Sequence, residues 1–310
     1  MQVRAWRPEL ADTWNAFNAR AGCGHFLFDR RFMGYHADRF ADASLMVEDE
    51  GQIVALLPLN RAGDEAWSHQ GLTFGGLIHD GLGAAAAMQA LDACREHLKA
   101  EGVKALVYKA MPWIYARRPS EQDLYWLFWQ EAQLVRRDVS AAIDYRARGR
   151  VSSRRERGAK KAVKAGLQFR RSDDWRGYWR LLEAVLGERH GVRPVHTSEE
   201  IALLAGRFPD RIALHLAALG EEIQAGVVMF CSDQVAHAQY IAVGPEGRET
   251  GALDGLFDHL ITLHADDAWR YFDFGISTAD QGRTLNEGLA RQKEEFGASA
   301  VVHDVYRLAL

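Results

Sequence analysis

The chain has 310 residues, about twice the length of one compact domain, so two lobes or one large one are expected. Its 48% hydrophobic and 26% charged residues exclude disordered, collagen-like and disulfide-scaffold proteins. With 38 Lys and Arg against 42 Asp and Glu, the net charge of -4 excludes a whole-protein attraction for nucleic acid or an anionic membrane. Cys23, Cys94 and Cys231 are widely spaced and form no C-x-x-C pair, which suits reduced core thiols. The opening Met-Gln-Val-Arg-Ala-Trp has no apolar leader pattern and runs such as 54–59 are too short to span a bilayer. A cytoplasmic location without stable membrane insertion is the expectation.

In chain order, the pattern predicts a helix over 8–21 and then a hairpin of strands 44–48 and 52–58 joined through Asp49-Glu50-Gly51. A strand over 72–79 runs into Asp80-Gly81-Leu82-Gly83, and a helix over 84–101 follows with Met88, Leu91 and Leu98 on its apolar side. A strand over 103–108 and an aromatic-rich helix over 121–133 complete the first half. The second half repeats this grammar: helices 175–189 and 198–208, hairpin strands 212–218 and 224–231 turning at Gly220-Glu221-Glu222, and a strand over 235–243. That strand enters a glycine-bearing loop over 244–251, followed by helix 252–264 and strand 271–275. The repetition is one of architecture and points to two α/β (α+β) lobes, one over 1–150 and one over 151–299.

Between the halves, residues 146–171 hold eleven Lys or Arg against the single acid Glu156, a local charge of +10 that leaves the remainder at -14. If Ser153 caps a helix, then Arg154, Arg157, Lys161 and Lys164 share one face suited to phosphates. The plainer alternative is a solvated linker. Both glycine loops lie between a strand and a helix, where backbone N–H groups and the helix dipole favour an anion; as many such loops are only turns. The candidates there are Gly81 and Gly83 in the first and Arg248, Gly251 and Ala252 in the second.

Asp273-Phe274-Gly275 matches the metal-binding triplet of protein kinases, but the other kinase motifs are missing. A period of two puts Phe272, Phe274 and Ile276 on one face and Asp273 on the other, away from the apolar layer. The same count on 235–243 puts His237 and Gln239 opposite Ala236, Ala238, Tyr240 and Ala242. A histidine and a carboxylate on adjacent strands make a base and its orienting partner, with Tyr240 or Ser277 as a proton donor. The alternative is a histidine bonded inside the sheet and an aspartate capping a turn. His190 and His196 lack a third ligand at supporting spacing, so no metal is expected and His196 is assigned to a loop or substrate role. Trp113, Tyr115, Tyr125, Trp126 and Trp129 are expected in the core rather than as a stacking platform.

Taken together, His237-Ala-Gln-Tyr-Ile-Ala, Gly251-Ala-Leu-Asp, Phe272-Asp-Phe-Gly-Ile-Ser, Gly282-Arg-Thr-Leu-Asn-Glu-Gly-Leu and Lys293-Glu-Glu-Phe-Gly-Ala resemble the GNAT-like acyltransferases of the Fem type. Gly75-Gly76 and the basic segment ending Lys160-Lys-Ala-Val-Lys-Ala-Gly-Leu167 extend the likeness over most of the chain. The resemblance implies two GNAT-like lobes with a substrate cleft between them, the last strand (within 300–310) returning to the first lobe. It implies acyl or aminoacyl transfer to an amine, commonly on a sugar or cell-envelope precursor, and adds Asn286 and Lys293 to the substrate-binding candidates. The phosphate loop of that family reads Gln or Arg, two residues, Gly, one residue, then Gly or Ala. Arg248 to Leu253 departs from it at Leu253 and Ile78 to Gly83 departs at Ile78, which leaves open which lobe holds coenzyme A.

The favoured reading is an N-acyltransferase that takes an acyl group, acetyl from acetyl-CoA first, to the amine of a sugar or polysaccharide precursor. Asp273 or His237 removes the proton, Tyr240 stands near the leaving thiolate, and the basic face grips phosphates of the donor or of a nucleotide-linked acceptor. A Fem-type aminoacyl-tRNA donor is less favoured, because no segment has the heptads of a long helical arm and the positive charge is confined to one short stretch. A non-catalytic binding protein for a phosphorylated glycan precursor is the third reading.

Overall fold

In a computed structural model the protein is described over residues 1–191, 193–266 and 269–310, and the side chains of Arg189, His190 and Asp266 lie outside that description. The chain forms two compact units: 1–139 with 278–284 and 302–310, and 140–277 with 285–301. The first division falls at Val139/Ser140, inside the strand Gln133–Asp144, rather than at 150.

In the first unit the antiparallel hairpin Leu45–Asp49 and Gln52–Leu57 turns at Glu50 (φ 47°) and Gly51 (φ 77°), the two left-handed positions that a tight two-residue hairpin turn requires. Gln2–Ala5 and Ile78–His79 flank it to complete a four-stranded sheet. The expected strand over 72–79 contracts to its last two residues, because Gly75 packs on the Ser68 backbone and Gly76 takes φ 104°. A second set of strands, Ala105–Lys109 with Glu65–Trp67, Asn60–Ala62 and Ala41–Asp42, also pairs with residues 305–309 of the closing strand Ser299–Ala309. The helix Ala84–Ala100 buries Ala87, Leu91, Cys94 and Leu98, spaced to share one face, and the chain leaves it through left-handed Gly102. Those side chains share a core with Leu45, Val47, Leu57 and Trp126.

The aromatic helix stops at Trp129, where left-handed Glu131 redirects the chain, and Gln133 begins a strand that the sequence pattern did not predict. The aromatic cluster divides: Tyr115 and Trp126 are in the core, but Trp113, Tyr125 and Trp129 are at least half exposed. Tyr125 and Trp129 stand one turn apart on the outer face of a helix whose inner face is taken by Trp126 and Leu127.

The second unit arranges Gln168–Ser172, Ile212–Leu219, Glu222–Cys231, Val235–Val243, Tyr271–Ile276 and the second half of Gln133–Asp144 in that order across a mixed sheet. The helix Ala252–Asp266 covers one face over a core of Val227, Met229, Leu256, Phe257, Phe272 and Phe274. The basic stretch is a structured helix, Ser153–Lys164, not a linker, and its cap is Ser152, one residue earlier than expected. The three cysteines are buried and unbridged. Among the described residues no helix is long and apolar enough to cross a membrane.

A buried polar knot closes the first unit. The Tyr108 hydroxyl accepts from the Leu77 N–H and donates to Asp123 Oδ2, both at 2.7 Å, and burial pushes the Asp123 carboxyl from 3.8 up to about 6. A carboxyl that binds its proton more tightly when folded favours the native state at low pH and loses that contribution as pH climbs through its folded value. The urea midpoint of the wild type relative to that of Asp123→Asn should therefore fall as pH rises from 3.8 to about 6; a constant difference between the two would refute the assignment.

Candidate active site

The strands Val235–Val243 and Tyr271–Ile276 run parallel and pair only at Val235–His237 with Tyr271–Asp273. Among the described residues the two strands have no register with each other beyond that point, so the sheet forks, and His237 and Asp273 are the last facing pair at its base. Both arms are irregular. Val228 and Met229 face Tyr240 and Ala238, so Gln239 is an extra residue bulged out of the first strand. A second irregularity falls between Asp273 and Ile276.

The Gln239 bulge corrects the face assignment made from strict alternation. Ala236 and Ala238 pack into the unit's core, and after the bulge Ile241 and Val243 do so. Tyr240 is thereby turned to the side of His237, where Trp179 meets it edge-on at 5.2 Å and His196 Nδ1 lies 2.5 Å from its hydroxyl. His196 lies on the segment between Trp175–His190 and Ser198–Arg207, where it is buried and hydrogen-bonded to Tyr240. The His190 side chain, its partner in the discarded metal pair, lies outside the described residues.

Asp273 faces away from the Phe272–Phe274 layer as expected, yet it is fully buried. It accepts from Ser140 Oγ at 2.5 Å, from the Gly275 N–H at 2.9 Å and from His237 Nδ1 at 3.1 Å. A carboxylate so enclosed orients the imidazole and cannot itself reach a substrate; His237, with 12% of its side chain exposed against 0% for Asp273, is the accessible member. Bonding Nδ1–H to the carboxylate fixes the tautomer whose lone pair is on Nε2. Gly275 has φ 79°, a left-handed conformation that favours glycine.

Lys293, on the helix Glu287–Glu294, donates to the Gly275 and Ile276 carbonyls, both at 2.7 Å, and so ties down the end of the Asp273 strand. Burial pulls its ammonium down to about 8, with Asp273 opposing the shift. Ser277 Oγ and Gln239 Oε1 are buried polar atoms with no hydrogen-bond partner among the described residues, one at the end of each arm's irregular stretch. Asn286 differs: its Oδ1 accepts the Leu289 N–H and caps the Lys293 helix.

The basic helix presents Arg154, Arg157, Lys161 and Lys164 to solvent and buries Arg155, Ala159 and Ala162. Arg155, which charge counting did not single out, donates to Asp254 Oδ1 at 2.5 Å and to Glu295 Oε2 at 2.7 Å, joining the basic helix to Ala252–Asp266 and to the end of the Lys293 helix. Gly158 and Gly251 make the close approach possible: a Cβ on Gly158 would lie 2.0 Å from Asp254 Oδ2, and one on Gly251 would lie 2.6 Å from the Gly158 carbonyl oxygen. The loop before Gly251 is itself a short helix, Pro245–Thr250, that ends on Gly251 at φ 77°. Ala252 is fully buried, and Leu253, the departure from the phosphate-loop pattern, packs against the core. Arg248 is exposed, with Nη2 on the Val243 carbonyl. The structure thus brings the middle of the basic helix against the start of the Ala252 helix, two segments that sequence spacing had left apart.

In the first unit, Gly81 is left-handed and Gly83 precedes the helix Ala84–Ala100 without a side-chain cap. There Arg118 stands over the turn, 3.1 Å from where a Gly81 Cβ would be, and is paired with Asp80 at 2.8 Å.

Residues 146–281 match the acetyltransferase (GNAT) domain family. The solved structure of FemX superposes with a TM-score of 0.71 at 13% identity, covering 100% of this chain and 98% of that one. The chain carries a GNAT acyltransferase domain on a Fem-type tandem fold. Similar too are the C-terminal domain of a putative lysylphosphatidylglycerol synthetase from Agrobacterium fabrum (TM-score 0.65, 12% identity, 97% and 91% covered) and a tandem GNAT protein of the clavulanic acid biosynthesis pathway (0.50, 13%, 99% and 98%). No curated protein matches the sequence.

The ion triad yields a stability test. Arg155→Met would leave two carboxylates facing each other without their cation, and a loss of about 3–5 kcal/mol is expected in denaturant unfolding. Adding Asp254→Asn and Glu295→Gln should recover most of it; no recovery would mean that packing, not charge, is at stake.

Proposed function

We propose that the second unit transfers an acyl group from an acyl-coenzyme A, acetyl in the simplest case, to an amine on a sugar or cell-envelope polysaccharide precursor. The observation that carries this reading is the His237–Asp273 pair at the base of the fork, one member reachable and the other enclosed. The incoming ammonium must lose a proton before it attacks a thioester. His237 Nε2 takes it while Asp273 holds Nδ1 and stabilises the imidazolium, as in other histidine–carboxylate pairs. Nitrogen adds to the carbonyl carbon, and backbone N–H groups on the unpaired edge after His237 hold the oxyanion. The C–S bond then breaks, its electron pair stays on sulfur, and Tyr240 supplies a proton to the thiolate. Gln239 and Ser277, with their unpartnered buried oxygens, are the acceptor contacts, and Lys293 keeps the end of the Asp273 strand in place.

The diphosphate of the donor is assigned to the start of the Ala252–Asp266 helix, with Arg248 and the face of Arg154, Arg157, Lys161 and Lys164 beside it. The first unit is the poorer donor site, since Tyr108 and Asp123 fill the interior beside Leu77 and Arg118 covers the Gly81 turn. The four exposed cations on one helical face also favour a second reading, an aminoacyl-tRNA donor whose phosphates lie along that helix.

Acetyl-CoA should raise the melting temperature of the wild-type protein, and Arg154→Glu with Lys161→Glu should abolish the rise. No shift with acetyl-CoA, together with a salt-sensitive gel shift by charged tRNA, would transfer the assignment to the second reading. Once the acceptor is in hand, His237→Ala should lower kcat by roughly 10²–10⁴-fold. Asp273→Asn should lower it through the wrong imidazole tautomer, and full activity in both variants would exclude this base.

A further inference from the structure

Tyr240 does not stand alone beside the fork. Its hydroxyl is 2.5 Å from His196 Nδ1, and the two rings meet at 89° with centroids 5.8 Å apart. His196 is held from both sides. The Trp179 Nε1–H donates to the His196 carbonyl at 3.0 Å, and the next residue, Thr197, is the N-cap of Ser198–Arg207 in a reciprocal capping box with Glu200. Trp179 also packs edge-on against Tyr240 at 5.2 Å. This is more fixation than a connecting segment needs, and it is spent on one imidazole nitrogen and one phenol oxygen.

We propose that His196 is a positioning residue that aims the Tyr240 hydroxyl at the leaving group of the transfer reaction, an inference that rests on the function proposed above. With its proton on Nδ1, His196 donates to Tyr240 Oη. The phenol then cannot spend its own hydrogen on His196, and that hydrogen is directed to the departing atom. As the bond to the acyl carbon breaks, its electron pair remains on the leaving sulfur, or on oxygen if the donor is an ester. The phenol proton moves to that atom, and the phenolate left behind keeps the Nδ1–H bond until it recovers a proton from water. His196 touches neither substrate and acts only through Tyr240.

A double-mutant cycle separates this role from a structural one. Tyr240→Phe and His196→Ala should each lower kcat by roughly tenfold or more with KM for the donor nearly unchanged, and the double variant should be no slower than Tyr240→Phe alone. His196→Asn, which returns an amide donor near the Nδ1 position, should restore part of the loss. Multiplying losses in the double variant, an unchanged kcat in His196→Ala, or a lowered melting temperature as the sole effect would each overturn the proposal. The bond can also be read without any substrate: ¹⁵N-resolved imidazole NMR should show a protonated, hydrogen-bonded Nδ1 on His196 that shifts in Tyr240→Phe. An Nδ1 without a proton overturns the positioning role whatever reaction the protein performs. An intact Nδ1–H bond in a protein that binds neither acetyl-CoA nor charged tRNA overturns the functional reading instead.

Discussion

The second unit is organised around a carboxylate that has no access to water. Asp273 is fully buried within the sheet, and a buried carboxylate is costly unless it is saturated with donors. Three elements meet that demand: Ser140 on one neighbouring strand, His237 on the other, and the Gly275 N–H two residues along its own strand. The last of these needs the chain to turn back on itself, which Gly275 permits at φ 79°. The turn breaks the register with the strand carrying Ser140. The opening beside His237 and the satisfaction of Asp273 therefore share one backbone distortion.

A second constraint lies in the close contact between the basic helix and Ala252–Asp266. Two glycines, Gly158 and Gly251, let the backbones approach, and Arg155 fills the seam with a charge answered by Asp254 and Glu295. The cations that face solvent are thus held by a cation that does not. Glu295 lies two residues beyond Lys293, whose ammonium grips the carbonyls just past Asp273. That short run of chain thus anchors both the basic helix, through Arg155, and the end of the Asp273 strand, through Lys293.

The first unit follows a similar plan to a different end. Its strand Ile78–His79, glycine turn and helix Ala84–Ala100 match the order of the second unit, but the polar interior is closed by Tyr108 between Leu77 and Asp123. There a buried carboxyl is held by a phenol instead of an imidazole. The exchange of an imidazole for a phenol is the physical difference on which the functional assignment of the two units rests.

Much of this was legible from the residues themselves. The hairpin at Glu50-Gly51, the apolar stripe of Ala84–Ala100, the helical cations from Arg154 to Lys164 and the facing of Asp273 away from the Phe272–Phe274 layer follow from local period, turn chemistry and charge spacing. Sequence alone did not predict the strand Gln133–Asp144, since its mixture of exposed and charged residues carries no clean alternation. Nor did it show that Tyr240 shares a side with His237, because a bulge adds one residue without a compositional mark and reverses every facing after it. The exposure of Tyr125 and Trp129 and the burial of Arg155 likewise depend on which helical face meets a neighbour. Local chemistry set the elements and the residue types at the site; tertiary packing decided which of them face one another, because burial and register are properties of contacts between distant segments and not of any one segment.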